Sequence, residues 1–475
     1  MLDIQKLLKR YSDKVFLISE SKELTYGELC AKIGAIHFEF KKLNIRKNDR
    51  VAIISSNSED YVLVLLALIF YGAIAVPINH HFSIDEILRI LKNINCTHIF
   101  YDDNSSKLKS YSNKISSYFI NLFTKVDINS SKQQIISPIH LDSDSTIILT
   151  SGSTGYPKGV VHTLGNHVYS ALGSNLNISF GEGDRWLLSL PLFHVGGIAV
   201  LFRALMSGGA AVLPKSRNML LMSLKINKIS HMSLVPTQLF RLIQYLEQDT
   251  YNFNLKAVLI GGDRISYSLI KKSVKLNLPL YLSYGSTEMT SQITTTKCLM
   301  EVPDYISYGK PLKYSNVFIS DENDILVQGK ILFKGYLNNN DLDNSRDTDG
   351  WFKTGDKGRF DEEGGLIILG RKDNMFISAG ENIHPEEIER CIEHDYNVIK
   401  AVVVPVKDSE LGNIPVVFIQ LVNNIKPYEK YFEQILEQQL ARYKWPKYYF
   451  ELTQNDNSIK INRKKLTELA NKFIT

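Results

Sequence analysis

Short apolar runs alternate with polar or helix-length stretches along the first part of the chain. The runs predict buried strands and lie at residues 51–54, 147–149, 211–213, 257–260 and 280–282. Strands that alternate with helical segments are typical of α/β architecture. After Lys310-Pro311 the pattern changes to short strands and turns, as at residues 331–336 and 365–370. We therefore predict a large α/β unit with layered sheets and a β-rich subdomain.

The pattern changes again after Arg371. Two apolar runs at residues 402–406 and 416–420 predict strands of a compact α+β unit. A chain of 475 residues exceeds the usual size of one domain. We therefore predict an N-terminal domain over residues 1–371 and a small C-terminal domain over residues 372–475.

One apolar segment, residues 61–78, is uncharged over a length that could span a bilayer. Gly72 and Pro77 interrupt it, and the polar residues 56–60 precede it as a helix cap. We interpret it as a buried helix followed by a strand at 73–76, and expect no membrane insertion. The N-terminus lacks the apolar core and cleavage site of a signal peptide, which predicts a cytoplasmic location.

Charge and cysteine content exclude several classes of protein. The net charge of +5 arises from 55 basic and 50 acidic residues, which is too dilute for a nucleic-acid surface. The four cysteines are far apart and form no C-x-x-C pair, which argues against a zinc site or a disulfide framework. They are Cys30, Cys96, Cys298 and Cys391. A reducing compartment fits this pattern.

The stretch LTSGSTGYPKG, residues 149–159, combines hydroxyls, glycines and Lys158 directly after a predicted strand. Glycines let backbone N–H groups approach an anion, hydroxyls add donors, and the lysine neutralises oxygens. The chemistry points to a polyphosphate. The spacing differs from G-x-x-x-x-G-K-[ST], the common nucleotide loop. A Ser/Gly-rich surface linker is the alternative that this stretch alone leaves open.

Four further motifs follow this loop in order. They lie at residues 284–288 (YGSTE), 349–356 (DGWFKTGD), 370–373 with 377–388 (GRKD, ISAGENIHPEEI), and 458–463 (SIKINR). Together with the loop they resemble the adenylate-forming superfamily of acyl-CoA synthetases, luciferases and peptide-synthetase adenylation domains, over nearly the whole chain. The resemblance implies an enzyme that uses ATP and Mg²⁺ to form an acyl-adenylate and then transfers the acyl group to coenzyme A.

The resemblance also implies roles for individual residues in binding ATP. The pyrophosphate loop would comprise Thr150, Ser151, Gly152, Ser153, Thr154, Gly155 and Lys158. Thr287 and Glu288 would hold the magnesium ion and take part in catalysis. Gly262 would lie at the nucleotide, Tyr284 would stack on adenine, and Asp356 with Arg371 would bind the ribose hydroxyls.

Further residues are implied in the two chemical steps. Lys460 would bridge the carboxylate and the α-phosphate during adenylation. Asp373 would be the hinge that makes the C-terminal domain mobile, so that a second arrangement brings the loop with Gly380 to the active site. Gly380 would then line the path of the pantetheine thiol.

Within the superfamily, four segments narrow the resemblance to the 2-succinylbenzoate–CoA ligases of menaquinone biosynthesis. They lie at residues 186–197, 233–239, 255–262 and 459–463. The last segment has Ile459 where most relatives have glycine, a departure that these ligases share. The resemblance implies an aromatic substrate with two carboxylates.

Arg203 is the strongest candidate for recognising the second carboxylate. It lies in an apolar stretch of helical character, residues 196–205, where an unpaired buried charge is costly. Gly196 is seven residues earlier, on nearly the same helical face, and His194 precedes the helix. We expect these three residues and Gly285 to form the acid pocket, with His194 also counted among the catalytic candidates. The alternative is an arginine that reaches solvent at a helix end.

Three other functions stay open from the sequence. One is another aryl or medium-chain acyl-CoA ligase, and another is a non-catalytic nucleotide-binding sensor. The third is transfer of the acyl group to the thiol of a carrier protein. The expected partners are small molecules, namely an aromatic carboxylate, ATP and coenzyme A, without nucleic acid. Whether the chain forms a homo-oligomer stays open from the sequence.

Overall fold

A computed structural model describes residues 1–20, 22–103, 105, 115–122, 136–150, 157–214, 224, 228–247, 254–338, 341–343, 345–408, 410–422, 429–452 and 462–474. Its α-helices are α1 (Ile4–Arg10), α2 (Tyr26–Lys42), α3 (Glu59–Tyr71), α4 (Ile84–Ile94), α5 (Leu164–Asn177), α6 (Val195–Ser207), α7 (Pro236–Leu246), α8 (Tyr267–Lys275), α9 (Pro385–Glu393), α10 (Glu429–Glu437) and α11 (Arg463–Ile474). Short 3-10 helices cover Ile120–Leu122, Lys372–Asn374 and Arg442–Lys444.

One sheet carries the hairpin of the predicted phosphate loop. From edge to edge its described strands are β19 (Asp341–Asp343), β18 (Gly335–Asn338), β8 (Lys158–Thr163), β7 (Asp144–Thr150), β4 (Ile74–Pro77), β3 (Arg50–Ile54), β5 (His98–Tyr101) and β6 (Ser116–Phe119). The pairs β7–β4, β4–β3, β3–β5 and β5–β6 are parallel. The pairs from β7 to β19 are antiparallel.

The second sheet contains Tyr284. Its described strands are, in order, β15 (Lys310–Pro311), β14 (Ser291–Thr295), β13 (Leu280–Ser286), β12 (Ala257–Ile260), β11 (His231–Leu234), β9 (Arg185–Leu187), β10 (Ala210–Leu213), β1 (Val15–Ser19) and β2 (Lys22–Thr25). Helix α6, which carries Arg203, connects two of these strands, β9 and β10. The strands from β13 to β1 pair in parallel. All five predicted apolar runs are strands of these two sheets.

The apolar segment at residues 61–78 is a helix and a strand, as predicted. Ser58 caps α3 through its side chain, and Gly72 ends the helix before β4. Every residue from 61 to 70 is buried, because α3 belongs to a core cluster that includes residues of both sheets and of α2, α5 and α6. In the described part of the chain, no helix is long and apolar enough to cross a membrane.

The β-rich part is a four-stranded sheet that presents two predicted nucleotide-binding residues. Its described strands are β16 (Ser315–Ile319), β17 (Asp324–Gly329), β20 (Phe352–Phe360) and β21 (Leu366–Arg371). Asp356 of β20 lies opposite Arg371 of β21. At residues 331–336, where short strands and turns are predicted, β18 begins at Gly335. The preceding apolar residues, 331–333, belong to a buried hydrophobic cluster that also contains residues of β17.

The C-terminal part has two hydrophobic clusters of its own, built only from residues after 375. Its described strands are β22 (Phe376–Ser378), β23 (Glu381–Ile383), β24 (Val398–Asp408), β25 (Gly412–Leu421) and β26 (Tyr448–Glu451). β24, β25 and β26 form one sheet, and β22 pairs with β23. Ile399 packs into the core cluster of the nine-stranded sheet, which attaches this region to the rest of the chain. The domain boundary at residues 371–373 stays a prediction.

Candidate active site

Tyr284, Asp356 and Arg371 lie together although they come from three strands and two sheets. The Tyr284 hydroxyl donates to Oδ2 of Asp356 over 2.6 Å. Nη1 of Arg371 is 3.3 Å from Oδ1 of Asp356, and Nη2 is 3.6 Å from Oδ2 of Asp373. The sheet register places Asp356 and Arg371 side by side, so their contact is set by the backbone. An acceptor and a donor therefore lie next to an aromatic ring.

Burial shapes the protonation of this group. Burial raises the pKa of Tyr284 well above its ordinary value, and the adjacent Asp356 carboxylate raises it further. Burial also raises the pKa of Asp356, while the Arg371 guanidinium and the Tyr284 hydroxyl act in the opposite direction. The phenol is therefore held protonated, as a donor. This arrangement can present an aromatic face, a carboxylate and a guanidinium to a nucleoside.

Glu288 and Thr287 lie in the turn after β13, and hydrogen bonds hold this turn on two sides. Oε1 of Glu288 accepts from the hydroxyl of Tyr336 over 2.8 Å, and its carbonyl accepts from the Phe333 amide over 2.7 Å. The Thr287 carbonyl is 2.7 Å from Nε2 of His162. Burial lowers the pKa of His162 to about 4, so its ring is neutral and donates to that carbonyl.

The donor set at Glu288 suits a magnesium ion that also binds phosphates. A carboxylate oxygen is a hard ligand, and Mg²⁺ in nucleotide sites takes one or two carboxylates plus phosphate oxygens. Oε1 is used by Tyr336, which leaves Oε2 for a cation. No group of three or more His, Cys, Asp or Glu side chains in the described ranges could hold a metal ion. A cation at Glu288 would take its remaining ligands from phosphate oxygens and water.

The predicted pyrophosphate loop connects β7 and β8. Thr150, the last residue of β7, lies opposite Lys158, the first residue of β8. The ammonium nitrogen of Lys158 is 5.2 Å from the centre of the Tyr336 ring. Ser151, Gly152, Ser153, Thr154 and Gly155 lie outside the described residues. The two ends of the loop thus come together beside the turn with Glu288.

Lys460, the predicted catalytic lysine, and Ile459 also lie outside the described residues. Arg463, three residues after Lys460, begins α11 and is anchored. Its Nη1 donates to Oε1 of Glu389 over 2.6 Å and to the Val403 carbonyl over 2.7 Å. Asp373 lies in the 3-10 helix Lys372–Asn374, at the start of the C-terminal region.

Gly380 forms the turn between β22 and β23, with φ of +85°. An ideal Cβ at this position would meet nothing within 4 Å, so the turn faces open space. The amide of the preceding Ala379 donates to the Leu411 carbonyl over 2.9 Å, which ties the turn to β25. A side chain here would project freely but would strain the backbone.

Arg203 is buried in the middle of α6, with 1% of its surface exposed. Its Nε donates to Ser174 over 2.8 Å, and its Nη2 donates to Oε1 of Gln292 over 2.7 Å. The guanidinium carbon lies 4.6 Å from the centre of the Trp186 ring. Nη1 is buried without a hydrogen-bond partner, and no carboxylate pairs with Arg203 among the described residues. The interpretation of Arg203 as a solvent-reaching arginine is therefore wrong.

Burial lowers the pKa of Arg203 to about 9, because the guanidinium is removed from water and its described contacts are neutral. At neutral pH the group stays charged. Since Nη1 makes no hydrogen bond and the charged guanidinium has no counter-ion among the described residues, Arg203 can bind an anion. Gln292 is itself held in place, since its Nε2 donates to Thr295 over 2.7 Å.

The other predicted acid-pocket residues have separate surroundings. His194 precedes α6 and is exposed, with its ring 4.6 Å from that of Phe193. A Cβ at Gly196 would lie 2.9 Å from Cδ1 of Leu190, so Leu190 fills the space beside this glycine. A Cβ at Gly285 would lie 1.8 Å from the Ser291 carbonyl oxygen, so the packing of the two backbones requires glycine at this position. Gly262 follows β12 at the edge of the turn near Val235. Ligand contacts by these residues stay predictions.

Sequence reasoning missed four residues that organise the site. Tyr336 and His162 hold the turn with Glu288, whereas Ser174 and Gln292 hold Arg203. Tyr336 follows Gly335 in an apolar run. From the sequence it cannot be distinguished from an aromatic residue that only packs within a strand. His162 and Gln292 are polar residues in otherwise strand-like runs, and that mismatch is the signal that could have drawn attention to them.

Comparison with known proteins gives consistent matches. The family model described as "AMP-binding enzyme" matches residues 4–338. A 2-succinylbenzoate–CoA ligase of Listeria monocytogenes serotype 4b is 33% identical over 98% of both chains. The enzyme of the same name from Bacillus cytotoxicus is 31% identical over 96% of both chains.

Solved structures agree with these matches. The o-succinylbenzoate CoA synthetase of Bacillus subtilis, in complex with the acyl-adenylate intermediate OSB-AMP, superposes with a TM-score of 0.85 at 30% identity and covers 97% of each chain. The same enzyme in complex with ATP and a magnesium ion has a TM-score of 0.83 at 29% identity, covering 97% of this chain and 98% of its own.

Proposed function

Because the chain belongs to the AMP-binding enzyme family, we propose that it is an ATP-dependent acid–thiol ligase that joins 2-succinylbenzoate to coenzyme A. The products are 2-succinylbenzoyl-CoA, AMP and diphosphate, and an acyl-adenylate is the intermediate. The names of the curated relatives and the acyl-adenylate bound by the Bacillus subtilis enzyme support this assignment.

The observation that carries the choice of substrate is the environment of Arg203. Its guanidinium is buried, lacks a carboxylate partner in the described part of the chain, and has Nη1 unused. In a substrate with two carboxylates, one can react with ATP while the other stays intact and binds Arg203. The charged hydrogen bonds would then offset the desolvation of the guanidinium. A fatty acid or simple benzoate has no group for this position.

In the first step, the substrate carboxylate attacks the α-phosphorus of ATP and pyrophosphate leaves. An anion thus approaches a polyanion, so the barrier is largely electrostatic. Tyr284, Asp356 and Arg371 would orient the nucleoside, and the loop from Thr150 to Lys158 would hold the leaving pyrophosphate. Lys460 would neutralise the carboxylate and α-phosphate as they meet.

Glu288, with Thr287 beside it, would hold the magnesium ion. When bound, such an ion neutralises charge on phosphate oxygens during the displacement. The chain's own part is to keep the carboxylate in place, through the hydrogen bond from Tyr336 and the backbone contacts of the turn.

In the second step, the thiol of coenzyme A attacks the acyl carbon and AMP leaves. Asp373 would act as the hinge for a rearrangement of residues 372–475 that replaces Lys460 by the Gly380 turn at the active site. The use of coenzyme A and a cytoplasmic location belong to this proposal as predictions.

The test is a panel of acids assayed for acyl-CoA by HPLC. Two analogues each lack one carboxylate of 2-succinylbenzoate: 4-oxo-4-phenylbutanoate lacks the ring carboxylate, and 2-butanoylbenzoate lacks the chain carboxylate. We expect rapid turnover of 2-succinylbenzoate. The analogue that keeps the carboxylate used in adenylation should turn over weakly, and the analogue that lacks it should not turn over. Faster turnover of benzoate or octanoate would instead identify another aryl or medium-chain ligase. Binding of ATP without acid-dependent pyrophosphate exchange would indicate a nucleotide sensor.

A further inference from the structure

Tyr336 contacts the two charged residues that flank the predicted phosphate site. Its hydroxyl donates to Oε1 of Glu288 over 2.8 Å, and the face of its ring lies 5.2 Å from the ammonium nitrogen of Lys158. No ion pair joins Lys158 to Glu288, although the structure describes both residues. Tyr336 thus contacts the ammonium through its ring and the carboxylate through its hydroxyl.

The backbone dictates this placement. Tyr336 of β18 pairs with Val160 of β8, two residues from Lys158, so Tyr336 and Lys158 are diagonal neighbours on one face of the sheet. The Glu288 carbonyl accepts from the Phe333 amide over 2.7 Å, which fixes the turn of Glu288 beside the start of β18. The ring of Tyr336 also packs edge-on against that of Phe333, with centroids 4.8 Å apart. Its orientation is therefore determined by contacts other than those to the two charges.

The phenol is suited to this position because it makes two kinds of contact: its hydroxyl donates to Oε1 of Glu288, and its ring lies beside the Lys158 ammonium. A protonated phenol can donate to a carboxylate at its edge while its ring face attracts a cation. A leucine is smaller, has no ring or hydroxyl, and offers neither contact.

We propose that Tyr336 is a positioning residue that keeps Lys158 and Glu288 apart, so that the lysine stays free for phosphate and the carboxylate stays free for a divalent cation. This inference rests on the proposed function, because it assumes that both groups serve ATP. If they paired directly, each charge would offset the other and would attract its own ligand less strongly.

The test measures binding, so it needs no acid substrate and does not depend on the identity of the acid. Mn²⁺, which takes the same oxygen ligands as Mg²⁺, is titrated by electron paramagnetic resonance against enzyme saturated with α,β-methylene-ATP. The affinity for α,β-methylene-ATP alone is measured in EDTA by calorimetry. Tyr336→Phe keeps the ring and removes the hydroxyl, whereas Tyr336→Leu removes both contacts.

We expect Tyr336→Phe to weaken Mn²⁺ binding about tenfold, as for a lost hydrogen bond to a charged group, and to leave nucleotide affinity in EDTA unchanged. Tyr336→Leu should weaken both, because Lys158 then pairs with Glu288. Adding Glu288→Gln to Tyr336→Leu should restore the affinity in EDTA, since no carboxylate remains to capture the lysine.

A matched control is Tyr314→Phe. Tyr314 also has a lysine near its ring, with the Lys313 ammonium nitrogen 5.4 Å from the ring centre, but it is not one of the residues in the proposed arrangement of Tyr336, Lys158 and Glu288. Unchanged Mn²⁺ affinity in Tyr336→Phe would overturn the proposal, as would a loss in Tyr336→Leu that Glu288→Gln does not relieve. If the leucine variant fails to fold, Tyr336→Phe decides alone, since its effect on Mn²⁺ must vanish in the Glu288→Gln background. A failure here with intact turnover of 2-succinylbenzoate leaves the proposed function standing.

Discussion

Arg264, two residues after Gly262, forms an ion pair with Glu389 of α9 across the two regions of the chain, with 3.0 Å between Nη2 and Oε2. The same nitrogen is 2.9 Å from Oε2 of Glu393, and Lys400 lies 3.2 Å from Asp263. Arg463 also pairs with Glu389, with 2.6 Å between Nη1 and Oε1. Burial alone would raise the pKa of Glu389, but Arg463 and Arg264 outweigh it and lower the pKa to about 2.

This shared carboxylate predicts that Arg264 holds the C-terminal region in the arrangement described. Removing one partner of a buried ion pair costs about 3–5 kcal/mol, because the remaining charge stays desolvated. Arg264→Met should therefore loosen the contact and speed tryptic cleavage at Arg371 or Lys372. Adding Glu393→Gln should recover part of the loss. The exposed Arg241→Met is the control, and equal cleavage rates in all variants would contradict the prediction.

Replacement of Arg203 should affect the acid and not the nucleotide. We expect Arg203→Met to lower kcat/KM for 2-succinylbenzoate about 10- to 100-fold, as for a charged hydrogen bond of about 1.5–3 kcal/mol. The KM for ATP should stay near that of the wild type. Methionine is chosen because it fills the buried space without a charge.

The reactive monocarboxylate analogue supplies the control for Arg203. Its turnover should change little in Arg203→Met, so the preference for the dicarboxylate should collapse. An unchanged kcat/KM for 2-succinylbenzoate in a folded variant would remove both the role of Arg203 and the main structural reason for a dicarboxylate substrate.

Buried histidines predict how stability depends on pH. Burial lowers the pKa of His37, His162 and His231 to about 4 each. The unfolded chain takes up protons below about pH 6.5, whereas the folded chain does so only near 4, so the free energy of unfolding falls as pH falls through this window. A shift of this size is worth up to about 3 kcal/mol per histidine.

His162→Gln tests this effect because glutamine can still donate to the Thr287 carbonyl. The thermal midpoint should decline less between pH 7 and pH 5 than in the wild type. His81→Gln is the control, since His81 is exposed. Parallel pH profiles for His162→Gln and the wild type would show that His162 titrates normally in the folded chain.

Local sequence patterns predicted helices and strands correctly where the residues of one segment were sufficient to identify them. The helix and strand of residues 61–78 follow from Gly72 and Pro77, and β24 and β25 follow from apolar runs. At residues 331–336 the pattern predicted only short strands and turns, because apolar residues can be buried in a turn as well as in a strand. The first of these residues pack beside β17 and precede the strand that begins at Gly335.

Residues of the candidate site could be predicted only where they belong to a recognisable sequence motif. Tyr284 and Asp356 are 72 residues apart, and motif order alone related them before the structure joined them by a hydrogen bond. Tyr336 and Arg264 could not be found in this way, because their importance arises from partners that are remote in the chain. A buried arginine, by contrast, is visible within its own apolar helix, as Arg203 was.

The two half-reactions should separate in variants of Lys460 and Gly380. Lys460→Ala should nearly abolish pyrophosphate exchange and spare thioester formation from supplied acyl-adenylate, because its charge is needed only while carboxylate and phosphate meet. Equal loss of both steps would indicate a structural role, or that a neighbouring lysine acts instead.

Gly380→Leu should show the reverse pattern, with pyrophosphate exchange retained and transfer to coenzyme A lost, because a large side chain would enter the thiol path. Its positive φ strains any substitution, so backbone strain must be separated from bulk. Gly364 is the matched control, since it has φ of +82° and an ideal Cβ there would also meet nothing within 4 Å. We expect Gly380→Ala to lose much less transfer than Gly380→Leu, while Gly364→Leu keeps both half-reactions. Similar losses in Gly380→Ala and Gly380→Leu would mean that strain, and not obstruction, causes the defect.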